Sequence, residues 1–248
     1  MAKSALLELI RASVAGPNPN LDRLVKLFST FRGNDKVLML IQYTCKILTI
    51  YFNHRKRPVL ASRIANLGGP AADFRVLLRF SGLIPMLQWI LAVERDPPAS
   101  RTLLWVERLQ NLSMVLYYPL EHVYWLAAHQ IIPVSTAKNN KISLWSCRFW
   151  AAYVILQFVH SYEEYRLWHV KRIGLLKKSG EDSVDPKEME ALMAEKRSIK
   201  MWNIVNTAYF PMTVHWSLEK SPIPEWFIGV CGVVAGMYQL QLTWESTA

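Results

Sequence analysis

Residues 226–244, WFIGVCGVVAGMYQLQLTW, carry no charged side chain and are bracketed by Trp226 and Trp244. As a helix rising about 1.5 Å per residue, the stretch is roughly 28 Å long, close to the ~30 Å hydrocarbon thickness of a bilayer. Tryptophan at both ends suits the two headgroup zones, where an amphipathic ring is well placed, so both indoles are interface-anchor candidates. Gly229, Gly232 and Gly236 fall at i, i+3 and i+7 and share one helical face. Small residues at that spacing let two membrane helices approach closely, which makes these glycines candidates for helix packing and oligomerisation. Gln239 and Gln241 point to a helix packed against protein on one side.

The rest of the chain fits a protein partly in lipid. Charged residues make up 19% of the 248 positions, below the ~25% usual in soluble domains, and ten tryptophans is a high number. The net charge of +10 is uneven: residues 1–100 hold 14 Lys/Arg against 6 Asp/Glu, residues 201–248 only 1 against 3. Basic excess at the N-terminal end suits anionic headgroups. Nucleic acid has only the charge in its favour, without a zinc pattern or an RNA-binding signature, and is set aside as a partner. Cys45, Cys147 and Cys231 are scattered, with no disulfide framework, which implies a reducing compartment.

Apolar residues recur at three and four, not two, so the expected fold is all-α: a membrane-associated helical bundle with amphipathic N-terminal helices and a C-terminal transmembrane helix. The expected divisions are a basic amphipathic region (1–98), a central helical region with a second hydrophobic segment (99–176), a charged linker (177–185) and a C-terminal helix with its anchor (186–248). Helices are expected at 4–14, about 20–31, and from an Asn34 N-cap to the basic cluster at 54–57. Lys36, Gln42, Lys46 and Asn53 form the polar stripe of that third helix. Asp185, Pro186 and Glu188 form a capping-box-like start for another helix at about 186.

Residues 73–91, DFRVLLRFSGLIPMLQWIL, set Arg75 and Arg79 four apart on a narrow polar strip. Two readings of this segment stand side by side: shallow insertion at the headgroup boundary, or an ordinary core helix with solvated arginines. In the first, Phe74, Leu77, Leu78, Phe80, Ile84 and Leu87 insert, while Arg63, Arg75 and Arg79, with Lys36 and Lys46 from the preceding helix, hold headgroups. Breaks are expected at Gly68-Gly69-Pro70 and at Pro85. Residues 143–160 form a second hydrophobic segment with only Arg148 charged, read first as an interfacial or packed helix and second as a span.

Chemistry is absent from this pattern. His122 with His129, and His160 with Glu163 and Glu164, supply too few ligands for a metal site. No nucleophile elbow, phosphate loop or dinucleotide fingerprint is present. No catalytic residue, metal or cofactor is expected, and the chain is not read as an enzyme.

Four stretches together resemble the peroxisomal biogenesis factor 11 family, the membrane-elongating peroxins, in a fungal-like form. They are Asn34–Tyr43 (NDKVLMLIQY), Leu112–Trp125 (LSMVLYYPLEHVYW), Val214–Leu218 (VHWSL) and Gly229–Gln239 (GVCGVVAGMYQ). The resemblance spans about 30–244 and rests on the order and spacing of these stretches. It implies a peroxisomal membrane protein that shapes and elongates peroxisomes and promotes their division by amphipathic-helix insertion and self-association. Implied partners are peroxisomal membrane lipids, further copies of the chain, the fission machinery and a membrane-protein import receptor. The alternative is a pore for small metabolites, with Glu121, His122 and Arg148 lining the path.

Overall fold

The computed structural model describes residues 18–179 and 184–247, and over them the chain is helical without a strand. Eight helices follow one another: α1 Pro19–Phe28, α2 Phe31–His54, α3 Pro58–Phe80, α4 Leu83–Arg95, α5 Arg101–Ala128, α6 Thr136–Ser179, α7 Pro186–Ser217 and α8 Glu225–Glu245. The helix expected at 4–14 and part of the 177–185 linker lie outside the described residues.

Local chemistry sets several of the ends. Asn18 caps α1 by accepting from the Leu21 amide at 3.2 Å, with Pro19 in the first turn where its missing N–H costs nothing. Asp185 caps α7 in the same way through Lys187 N at 3.0 Å. The cap of α2 is Thr30, which accepts from Gly33 N at 3.0 Å, and not the expected Asn34. Asn34 instead donates back to the carbonyls of Phe28 (2.6 Å) and Thr30 (2.9 Å), tying the α1–α2 turn.

Two expected breaks are displaced by packing. α3 runs straight through Gly68-Gly69-Pro70, because Gly68 is where α2 comes closest: a Cβ there would sit 2.8 Å from Cys45 Cβ. The chain breaks later, at Ser81-Gly82, where α4 turns off at 48°. Pro85 then lies in the first turn of α4, which needs no intrahelical N–H donor. Likewise α5 passes through Pro119 and α7 through Pro211.

Six helices form a ring in the order α3, α2, α8, α7, α6, α5, closed by a looser contact of α5 with α3. The core between α2, α7 and α8 is built from Met39, Tyr43, Val205, Ala208, Met212, Ile228, Cys231 and Ala235. A second, smaller core joins the far ends of α6 and α7 through Trp168, Leu192 and Ile199, with Trp168 Nε1 donating to the Leu192 carbonyl at 2.8 Å.

By length and composition α6 and α8 can each cross a membrane, and the bent α3–α4 pair qualifies as a third crossing if counted as one. The segment at 143–160 is therefore one part of a helix of 44 residues, about 66 Å long and more than twice the hydrocarbon thickness. α6 is antiparallel to α7 (Asn206 bonds Val154, Arg148 bonds Ser217), and α7 is antiparallel to α8 (Arg197 bonds Glu245, His215 bonds Glu225). So α6 and α8 run the same way, with α7 antiparallel between them. Within α7, the Asn206 side chain donates to the Val154 carbonyl at 3.1 Å and the Thr207 hydroxyl to the Asn203 carbonyl at 2.8 Å. The Arg197–Glu245 bond marks the level where α8 ends, and the α6–α7 hairpin projects past it.

Candidate functional site

Two of the three arginines of α3, Arg75 and Arg79, face into the ring. Arg75 is 8% exposed; its Nε donates to Asp35 Oδ1 at 2.7 Å and its Nη1 to Gln42 Oε1 at 2.6 Å. One turn on, Arg79 makes a two-pronged contact with Glu121, Nε to Oε2 and Nη2 to Oε1, both at 2.6 Å. Tyr117 OH donates to the same carboxylate at 2.6 Å, and Lys36 Nζ takes the second oxygen of Asp35 at 2.7 Å. Burial alone would push the Asp35 carboxyl up, but the Lys36 and Arg75 cations outweigh it and hold it well below the usual carboxylate range. Burial pushes the Tyr43 phenol beside Arg75 up to about 12, so it remains a neutral hydroxyl.

These groups line a half-open cavity of about 700 Å³ between α2, α3, α5, α6 and α7. Aromatic side chains, among them Tyr43, Tyr117, Tyr118, Trp150, Tyr209 and Trp216, form much of the rest of its wall. At the rim, Asp73 accepts from Trp125 Nε1 at 2.8 Å and meets His129 at 3.3 Å.

Large apolar side chains are exposed on α3 and α4. Phe74 is 49% exposed, Leu77 41%, Ile84 76% and Leu87 54%, and Leu78 is half-buried. Phe80 is turned inward, stacked on His122 with ring centres 3.9 Å apart. The five expected headgroup cations therefore divide. Arg75, Arg79 and Lys36 are engaged by buried carboxylates, which differs from the expected outward placement; Lys46 pairs with Glu225 of α8; Arg63 is exposed. The reason is complementary charge on neighbouring helices: in a lipid-embedded bundle a guanidinium is better satisfied by a buried carboxylate than left against acyl chains.

The glycines of α8 lie together as their spacing requires, against α2 of the same chain. A Cβ at Gly229 would meet Ile47 at 2.7 Å, one at Gly236 would meet Leu40 at 2.9 Å, and one at Gly232 would overlap the Tyr43 ring. The close approach expected between copies is thus made within one copy. Trp226 is exposed at one end of α8. Trp244, at the other, lies beneath Arg23 of α1, whose guanidinium is 4.4 Å from the ring centre. Arg23 also donates to the Trp244 carbonyl at 2.8 Å, and Lys26 to the Thr247 carbonyl at 3.2 Å, so two cations cover the negative end of α8.

Of the residues proposed to line a pore, Glu121 lines the cavity, His122 packs against Phe80, and Arg148 bonds the Ser217 carbonyl at 3.3 Å. Asp35 and Tyr117 were not assigned roles from sequence, and Gln42 only a place on the polar stripe of α2. Their signal was present: Asp35 and Gln42 lie seven apart on one face of α2, opposite in charge or bonding character to Arg75 and Arg79. Among the described residues no group of three or more His, Cys, Asp or Glu side chains is placed to hold a metal ion.

An apolar exterior, crossing-length helices and a polar network turned inward define an all-α integral membrane protein. The chain belongs to the peroxisomal biogenesis factor 11 family, whose model matches residues 21–244, and it resides in the peroxisomal membrane. It is 24% identical to human "Peroxisomal membrane protein 11C" over 237 residues, covering 89% of this chain and 94% of that one. It is 23% identical to "Peroxisomal membrane protein PMP27" of Saccharomyces cerevisiae over 235 residues, covering 93% and 97%. An uncharacterised protein of Schizosaccharomyces pombe is 26% identical over 196 residues, covering 78% and 84%. No solved structure matches the chain.

Proposed function

We propose that this peroxisome-biogenesis protein elongates the peroxisomal membrane and promotes its division by driving the outer face of α3 and α4 into lipid. The observation that carries this reading is the apolar exterior of the bent pair, Phe74, Leu77, Ile84 and Leu87, with α4 turned off at 48° from α3. A bent pair fills more of one leaflet than the other, and unequal leaflet area favours curvature. The exposed Arg63 holds anionic headgroups beside the wedge. Self-association concentrates wedges in one patch, through lipid-facing surfaces, since the glycine face of α8 is occupied by α2. Recruitment of the fission machinery and insertion by a membrane-protein import receptor complete the reading; it contains no catalytic step.

The test is reconstitution of the full chain into anionic liposomes, with tubules scored by electron microscopy. Leu77→Asp with Leu87→Asp should abolish tubulation while the chain still incorporates. Tubulation at the unmodified level overturns the wedge assignment.

A second reading, passage of small metabolites, draws support from the charged cavity inside the ring. Planar-bilayer conductance that falls on Glu121→Gln would favour it.

A further inference from the structure

The α6–α7 hairpin outruns the rest of the bundle. Arg197 meets Glu245 at the last turn of α8, and α7 begins eleven residues before Arg197, so the hairpin stands about 16 Å past that level. Its α6 arm, residues 161–178 (SYEEYRLWHVKRIGLLKK), holds seven charged side chains, too many for acyl chains to surround, so the arm lies outside the hydrocarbon. The inward side of the arm is fully used. Trp168 donates to the Leu192 carbonyl, Lys171 pairs with Glu195, Glu163 is held by Ser100 and Arg166, and Glu164 by His160. The outward side is not used. Tyr162, Tyr165, His169, Ile173 and Leu176 recur at i, i+3, i+7, i+11 and i+14 and form one stripe, in which Tyr162 is 69% exposed and Ile173 38%. The helices packed on α6 are α5 and α7, and both lie behind this stripe. Arg166, Arg172 and Lys177 flank it, whereas α6 has no exposed carboxylate.

An apolar stripe at this spacing, standing in water, is the surface one helix offers another. The flanking charge selects the occupant. Two copies of the chain share one orientation in a membrane, so their outward α6 stripes would meet at equal height. That contact sets Arg172 and Lys177 against their own equivalents, and like charges across an interface are repelled. We infer that the outward face of the α6 arm is a docking surface for an amphipathic helix of another protein, one whose apolar stripe is flanked by Asp or Glu. The stripe from Tyr162 to Leu176 supplies the buried area, and Arg172 and Lys177 fix the orientation and speed the encounter. The surface stands whether or not α3 and α4 wedge lipid.

The test uses the full chain in phosphatidylcholine nanodiscs and a fluorescein-labelled helical peptide of three heptads, with leucine at a and d and glutamate at e and g, read by anisotropy against empty discs. Saturable binding is expected, and the same peptide with lysine at e and g should bind about tenfold more weakly or worse. Arg172→Glu with Lys177→Glu should reverse that preference. Ile173→Asp, at an exposed position, should abolish binding of both peptides. Binding no stronger than to empty discs, equal binding of the two peptides, or undiminished binding in Ile173→Asp with unchanged helix content overturns the proposal. Pairing of the chain with itself in detergent that is lost in Ile173→Asp would give the face to a second copy and overturn it as well.

Discussion

α3 and α8 each carry a stripe of unusual residues, arginines on one and glycines on the other, and both stripes face protein. On α8 the stripe lets a neighbouring backbone approach, and Tyr43 lies over Gly232. On α3 it reaches two carboxylates on α2 and α5. The difference lies in what holds each contact. Lipid tails are as apolar as leucine, so the glycine contact rests on dispersion and close fit, spread over many atoms. The arginine contact rests on a few charge-assisted bonds whose partners are costly to strand. In a membrane bundle, then, the odd stripe marks the inner face, and the leucines and phenylalanines beside it mark the outer one.

That comparison can be broken most sharply at Glu121. Glu121→Ala strands both Arg79 and the Tyr117 hydroxyl, and should cost about 3–5 kcal/mol in reversible unfolding of the detergent-solubilised chain. The pair replacement Arg79→Met with Glu121→Leu should recover most of that loss. A single-mutant cost under 1 kcal/mol would show that water or detergent, not the pair, satisfies these groups. On α8, Gly232→Val should cost about 2–3 kcal/mol by the same measurement, since Tyr43 has to leave the core to make room. Val at this position without loss would mean that α2 does not pack there.

The helical class, the bounds of α8 and the Asp185 cap were legible in the sequence, because each depends on residues within a turn or a single window. The direction of the α3 stripe was not. Arg75 and Arg79 on one strip give the same periodicity whether they meet headgroups or buried carboxylates; only Asp35, forty residues earlier, and Glu121, forty-two later, decide it. The persistence of α3 through Pro70 was hidden for a similar reason. A proline removes one hydrogen bond and crowds a turn, a local cost that tertiary packing of Gly68 on Cys45 overrides. The seating of α7 antiparallel to both α6 and α8 rests on contacts between residues far apart in the chain, which no hydropathy window contains.

Two smaller effects sharpen the contrast. Arg23→Ala removes the bond to the Trp244 carbonyl and the cation over its ring, at the exposed end of α8, and should cost about 1 kcal/mol. Gly69 is the smallest case and the most discriminating. It lies beside Gly68 on α3, yet a Cβ there would meet nothing within 4 Å. It has no neighbouring helix to meet, but it precedes Pro70, whose ring crowds a Cβ on the residue before it in a helix, and this offsets the gain in propensity, so Gly69→Ala should change the stability of the chain by less than about 1 kcal/mol. Gly68→Ala should destabilise it, because the added methyl meets Cys45 Cβ on α2. A clearly larger loss at Gly68 than at Gly69, read as unfolding midpoints in the same detergent, is expected if close approach and not glycine content holds α3 to α2; an equal effect at both would place α3 at a looser distance than 2.8 Å implies.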